Sequence, residues 1–199
     1  GSANNYSLNM LGNTALLKQQ ISELRAQADL VIVSVHWGVE DSHTLSGSQK
    51  SYAKKIADLG ADIIIGTGPH VWQPYEEIVG ASGKTTHVWY SIGNALNSQT
   101  KVDQLFSGVA LLKITKTEAG AITIDTPRVL PTYMHYTWSK GVGMSNSALL
   151  GRVDLKWGTV NESSSLVPTR NDFKTTAEVQ REKLKGYLAN QKVEVLTSY

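Results

Sequence analysis

The 199-residue chain is 41% hydrophobic, enough to bury the core of one domain and too apolar for disorder. Its formal net charge of +2, with no lysine or arginine cluster, excludes a nucleic-acid surface built on charge. The absence of cysteine excludes disulfides, thiolate zinc sites and cysteine nucleophiles, and no run approaches the roughly 18 apolar residues of a membrane-spanning helix.

Residues 3–12 are polar and read as extended. Asn13 or Thr14 can cap a helix running to about Ala28, with Leu17, Ile21, Leu24 and Ala28 on one face. The β-branched run from Asp29 to Val35 predicts a buried parallel strand, and His36-Trp37-Gly38-Val39-Glu40 follows it directly. A polar loop, 38–48, leads into a second helix over Ser48–Leu59. Tyr52, Ala53, Ile56 and Leu59 share its inner face, and Gly60 suits the position just past its end. A second apolar run, Ala61–Ile65, predicts the next strand, followed by Gly66-Thr67-Gly68-Pro69-His70. This α-β-α-β order implies parallel strands joined by a right-handed crossover.

Further on, Tyr75–Val79 and Thr85–Ser91 flank a Gly80–Gly83 turn and predict a hairpin, with Ser91-Ile92-Gly93-Asn94 at its end. Ser107–Thr115 and Ala121–Thr126, around a Lys116–Gly120 turn, predict a second hairpin. The fold class is α/β, a mixed β-sheet flanked by helices. Residues 132–165 set Tyr133, Tyr136, Trp138 and Trp157 among Gly and Ser, which predicts a long excursion with little regular structure. Thr175-x-x-Glu178 is a capping-box pattern for a last helix reaching about Ala189, with Val179, Leu184 and Leu188 facing inward. The chain then divides into residues 1–131 and an aromatic-rich extension, 132–199, ending in a helix.

Open α/β sheets place their sites just past the carboxyl ends of the strands. His36 with Glu40, His70, and the Ser91–Asn94 loop all fall there. Neutral imidazoles with oxygen donors suit a Zn, Mn or Fe site and equally suit general acid–base work. Gly38, Gly66, Gly68 and Gly93 allow a ligand to approach the backbone, whose N–H groups favour anions. The candidate catalytic residues are therefore His36, His70 and Glu40, with His36 and His70 as candidate metal ligands. The candidate substrate contacts are Trp37, Gly66, Thr67, Gly68, Ser91 and Asn94, although core packing is the first reading for Trp37 and for Trp72. His43, His87 and His135 read as structural. The sequence has no nucleophile elbow, no Walker loop and no G-x-G-x-x-G after a strand. Acids near the edge are Glu40, Asp41 and Glu76 or Glu77, too few to complete a dinuclear centre.

Ala28-Asp29-Leu-Val-Ile-Val-Ser-Val-His36-Trp37-Gly38-Val39-Glu40, then Gln49 and Leu59-Gly60-Ala61-Asp62, then Ile65-Gly66-x-x-Pro69-His70-Val71-x-Gln73-Pro74-x-Glu76, then Tyr90-Ser91-x-Gly93-Asn94 form an ordered series. Over roughly residues 6–131 it resembles the CapA-type capsule and poly-γ-glutamate synthesis proteins. That family is similar in fold to the calcineurin-like metallophosphoesterases, an α/β sandwich of two sheets flanked by helices. The resemblance implies that His36 and His70 line the active-site edge, with Glu40 and Asn94 nearby. It also implies a divalent metal (Mn, Fe or Zn) in the full-length protein, and an N-terminal half carrying further acidic and Asn-His motifs.

On that reading this chain is the C-terminal half of a longer protein and holds no metal tightly alone. Its expected partners are the missing N-terminal half and an anionic polymer such as poly-γ-glutamate or capsule polysaccharide. An exposed sheet edge adds a second copy, by dimerisation or strand exchange. The expected location is extracellular, at the cell surface or membrane-anchored through a segment outside this sequence. Two positions depart from the family pattern: Thr67 stands where His is common, and Ala95 where an aromatic is common. A hydroxyl ligates weakly, so two readings stand side by side. One is a metal-dependent hydrolase or transferase acting on an anionic polymer. The other is a non-catalytic domain that binds such a polymer or a partner in an export complex.

Overall fold

Asn13 opens the first helix, its side chain accepting from the Leu16 amide at 3.1 Å, and α1 covers Thr14–Arg25. The computed structural model describes residues 10–97, 99–139, 151–169, 174–189 and 191–199. α1 stops short of Ala28 because Arg25 turns inward there. Its guanidinium reaches the carbonyls of Asp29 and Gly60 and the Asp62 carboxylate. Ile21 is buried and Leu17 partly so, but Leu24 is 49% exposed, since Arg25 occupies the inward position at that end.

Strand β1 (Ile32–His36) pairs in parallel with β2 (Ile63–Thr67), with His36 opposite Thr67. Between them lies α2 (Gly47–Asp58), started by a Ser46/Gln49 capping box and closed by Gly60 in the left-handed region at φ 100°. β3 (Tyr75–Val79) and β4 (Thr85–Trp89) form the expected hairpin, and β4 also runs parallel to β2. The first sheet is therefore mixed, in the order β1-β2-β4-β3. The ends of β1, β2 and β4 open on one edge, as the sequence order required. β1 is an outer strand, and its outward residues Ile32 (53% exposed), Ser34 and His36 are uncovered among the described residues.

The second half differs from expectation. β5 (Phe106–Leu111) ends before Leu112, and a short separate hairpin follows, β6 (Ile114–Lys116) with β7 (Ile122–Ile124). β5 pairs instead with β8 (Arg128–Trp138), an 11-residue strand that runs through positions 131 and 132. β9 (Arg152–Thr159) pairs with the far half of β8. Residues 132–165 thus contain two long strands rather than an irregular excursion. β8 is buried on both faces from Val129 to Tyr136, so it shows no alternation. Pro131 argues against an interior strand on sequence grounds, yet it lies opposite Gly108 of β5.

The final helix, α3 (Ala177–Tyr187), is capped by Thr176, which accepts from the Val179 amide at 3.2 Å; Thr175 instead accepts from Gln180. Leu184 and Leu188 are buried as the pattern predicted, whereas Val179 is 51% exposed, because it lies one position off the inner face of Ala177, Gln180 and Leu184. β10 (Glu194–Val195) closes the second sheet beside β8.

The layers follow from strand parity. Val35, Ile64, Val88 and Tyr90 face α1 and α2, meeting Ile21, Ala53 and Ile56. Tyr75 and Trp89 face the other way, with Trp72, onto Val129 of the second sheet and Leu184 and Leu188 of α3 or its end. The order is helices, first sheet, then second sheet with α3.

His43 ties these layers together. Nδ1 lies 2.7 Å from the Trp72 carbonyl, Nε2 3.3 Å from an Asp103 oxygen, and the ring stacks on Tyr187 of α3 at 4.2 Å. Lys183 of α3 donates to the other Asp103 oxygen at 2.6 Å. His43 foremost, then Lys183, pull the Asp103 carboxyl down to about 2 against the opposing effect of burial. An unfolded Asp titrates near 3.9, so this carboxylate stabilises the fold above about pH 4, and the contribution fades as pH falls toward 2. The Asp103 side chain is 31% exposed, so solvent screening leaves about 1 kcal/mol. Asp103→Asn is expected to cost that much at pH 7 and nothing near pH 2, read as urea midpoints across that range.

Candidate functional site

Three loops meet at the carboxyl edge of the first sheet. The loop after β1 turns at Gly38 (φ 83°) and again at Asp41 (φ 60°), and the loop after β2 turns at Gly68 (φ 115°) and His70 (φ 63°). Asp and His tolerate the left-handed region better than most residues, though not freely. Two such residues facing one another are a mark of a functional edge. The loops are laced together by backbone bonds from Trp37 N–H to the Thr67 carbonyl and from Asp41 N–H to the Pro69 carbonyl, each 2.9 Å. Beneath them Gln49 donates to Gln73 at 2.7 Å, and Gln73 donates to the Ser42 carbonyl at 2.8 Å. Both glutamines are buried, so this chain of donors anchors the loop to α2 and to the β2–β3 connection.

His70 is the best-defined group at this edge. Its Nδ1 lies 2.9 Å from Asn94 Oδ1. The Asn94 amide nitrogen faces three acceptors, Gln99 Oε1 at 2.7 Å, the His70 carbonyl at 3.3 Å and the Gln104 carbonyl at 3.4 Å. That environment fixes which end of the Asn94 amide is oxygen, and hence that His70 Nδ1 carries the proton. In the neutral ring Nε2 then keeps the lone pair, and Glu40 Oε1 lies 3.9 Å from it. The His70 side chain is 27% exposed and that of Glu40 78%.

Asp41 supports the same edge. Lys101 beside it holds its carboxyl below the usual carboxylate range, with Gln104 and the His70 ring acting in the same sense against burial. Lys101, Gln99 and Gln104 were not visible as site residues in the sequence. They lie in the short 3₁₀ turn around Val102–Gln104 and its approach, whose polar residues read as an ordinary loop.

His36 belongs to a second small group. It is exposed, and its Nδ1 lies 3.4 Å from the Thr67 hydroxyl, which donates to the Val35 carbonyl at 3.1 Å. Gly68 lies close by: a side chain added there would meet His36 Nε2 at 3.3 Å. Of the remaining expected contacts, Trp37, Gly66 and Ser91 lie in the interior. Trp37 stacks on Tyr90, and its indole N–H donates to the Tyr90 carbonyl at 2.9 Å. Gly66 packs against the same carbonyl. Ser91 is buried, its hydroxyl 3.3 Å from the Gly93 amide. These three build the edge from below, and their side chains are not on its surface. His43, His87 and His135 are held by packing and hydrogen bonds, as read.

Among the described residues no three His, Asp or Glu side chains gather as a metal cage, and no helix is long and apolar enough to cross a membrane. His36 and His70 with Glu40 do not fit a metal ion by themselves, because the third position beside His36 is the Thr67 hydroxyl.

Comparison with known proteins gives consistent relatives. Residues 2–99 match the family model described as bacterial capsule synthesis protein PGA_cap. The chain is 40% identical over 79 residues to the PGA biosynthesis protein CapA of Bacillus subtilis (strain 168), covering 40% of this chain and 20% of that protein. It is 39% identical over 91 residues to the capsule biosynthesis protein CapA of Bacillus anthracis, covering 44% and 21%. The matched stretch therefore spans about a fifth of the length of these relatives.

Proposed function

We propose, from the premise that residues 2–99 belong to the bacterial capsule synthesis protein family PGA_cap, that this chain acts at the cell surface on an anionic polymer such as poly-γ-glutamate or a capsule polysaccharide. The edge carrying Glu40, His70 and Asn94 is where the polymer sits. The observation that supports this most is the grip of Asn94 on His70. A histidine held in one tautomer, with Nε2 open, takes a proton from water as the water oxygen attacks a carbonyl carbon of a polymer amide link, and returns that proton to the amine that leaves as the C–N bond breaks. Glu40 orients that water and steadies the imidazolium that forms.

The fold relatives named by resemblance use metals. Mn, Fe or Zn here requires donors beyond His36 and His70, and we place those donors in polypeptide outside this sequence. Thr67 favours a second reading, a domain that binds the polymer without chemistry, because a neutral hydroxyl is a far weaker metal ligand than imidazole.

Asn94→Leu in the whole protein separates the two. If His70 does chemistry, polymer turnover falls about 10- to 100-fold, the usual penalty for losing a group that orients a functional histidine, while polymer affinity is nearly unchanged. Lost affinity with no turnover in either protein would leave the binding reading.

A further inference from the structure

Two arms of hydrogen bonds reach His70, and both start from Gln104. That residue is 6% exposed and ends the 3₁₀ turn Val102–Gln104. Its side-chain nitrogen donates to Asp41 Oδ1, and its Oε1 accepts from the Lys101 amide at 3.2 Å. Its main-chain carbonyl accepts from Asn97 Nδ2 at 3.1 Å and from Asn94 Nδ2 at 3.4 Å. Asn94 in turn holds the His70 ring through Nδ1. Asp41 gives its own N–H to the Pro69 carbonyl, on the peptide unit that leads into His70. One arm therefore holds the ring of residue 70 and the other its backbone.

The turn is gripped from behind as well. Asp103, next to Gln104, accepts from Lys183 of α3 at 2.6 Å and lies 3.3 Å from His43 Nε2. His43 belongs to the same loop as Asp41, and its ring stacks on Tyr187 of α3. α3 thus touches both roots of the grip, the turn through Lys183 and the loop after β1 through Tyr187. The family match stops at residue 99, and Asp103, Gln104, Lys183 and Tyr187 all lie beyond it.

We propose that α3 positions His70 through Asp103 and Gln104, so that the C-terminal part of the chain sets which ring nitrogen of His70 carries the proton. Gln104 is buried and acts only through Asn94 and Asp41, which makes it a positioning residue. The path is contiguous, and it includes a charge-assisted bond at Asp103. The two states it biases are the two tautomers of one neutral imidazole. The inference rests on the proposed chemistry of His70 only for its activity readout, because the tautomer is read with no polymer present.

Proton–nitrogen correlation spectra of the imidazoles in the full 199-residue chain test it, taken at about pH 8, above the usual histidine range. The His70 signals are those missing from His70→Asn. The wild-type ring is expected as the Nδ1–H form. Gln104→Met should change the tautomer ratio at least about threefold, and Lys183→Met should change it in the same direction by less. Exchanging donor and acceptor, Gln104→Glu together with Asp41→Asn, should restore the ratio. Ile56→Val is the control: it loosens the packing on the helix side of the first sheet and should lower the thermal midpoint without moving the ratio. In the whole protein Gln104→Met should lower kcat about 2- to 30-fold with KM nearly constant. An unchanged ratio in Gln104→Met or in Lys183→Met would overturn the proposal. So would an equal shift in Ile56→Val, which would reduce the effect to a softened fold, or a failure of the exchanged pair to restore the ratio. A ratio that shifts as stated in a protein that turns over no polymer upholds the positioning role and ends the acid–base reading instead.

Discussion

Gly66→Ala is expected to destabilise the fold by about 4 kcal/mol and to lower the thermal midpoint by roughly 8–16 °C. Gly66 is buried at the end of β2, and a methyl group there would lie within 3.0 Å of the Tyr90 carbonyl and of Trp37 Nε1. Those two atoms are the acceptor and donor of a buried hydrogen bond 2.9 Å long. The added carbon must force β2 away from the Tyr90 strand end or push the indole off its acceptor. Overpacking of this kind costs about 1–3 kcal/mol, and a stranded buried N–H adds about 1–3. Gly47→Ala is the control. It occupies the first position of α2, and a Cβ there meets nothing within 4 Å. That change should leave stability equal or raise it by up to about 1 kcal/mol. Calorimetry of the two variants checks both numbers. Equal midpoints would show that the loops after β1 and β2 are not packed as described.

His70→Asn is expected to reduce polymer turnover by the whole protein at least about 100-fold, within the range general acid–base groups supply, with little change in thermal midpoint. Asparagine is the right replacement because position 70 sits at φ 63°, which asparagine accepts at least as readily as histidine. A glutamine or leucine there would mix backbone strain with lost chemistry. Turnover unchanged in His70→Asn would end the acid–base assignment and leave this edge as a binding surface.

The first half of the fold was legible in the sequence for a physical reason. β1 and β2 are continuous β-branched runs bounded by Asp29 and Gly60 or by loop glycines, and α2 carries its cap, its inner face and its terminating glycine in local sequence. Strand ends then placed His36, His70 and Asn94 on one edge without further information. What local sequence did not contain was partner choice. The expected hairpin around the Lys116–Gly120 turn does form at its tip, β6 with β7, but its outer part, β5, leaves it for the buried residues of β8. β8 itself was hidden because burial on both faces removes alternation, and its Tyr, His and Thr residues resemble loop composition. Asn94 was legible as a site residue by position only. The ring of acceptors that orients it comes from Gln99 and Gln104, whose place depends on the tertiary path of a loop.

The cluster joining Trp72, Tyr75 and Trp89 to Leu184 and Leu188 bears on how this polypeptide can be cut and inherited. The three aromatics lie inside the family-matched stretch, and the two leucines lie about a hundred residues later, in sequence that carries no recognised motif. Neither group can leave water without the other. Heating should therefore produce one endotherm with equal calorimetric and van't Hoff enthalpies, and no separate melting of residues 132–199. A gene fragment ending near residue 131 would encode a sheet with two bare tryptophans, a species prone to precipitate. Relatives that lack a counterpart of α3 need some other lid over the same three rings.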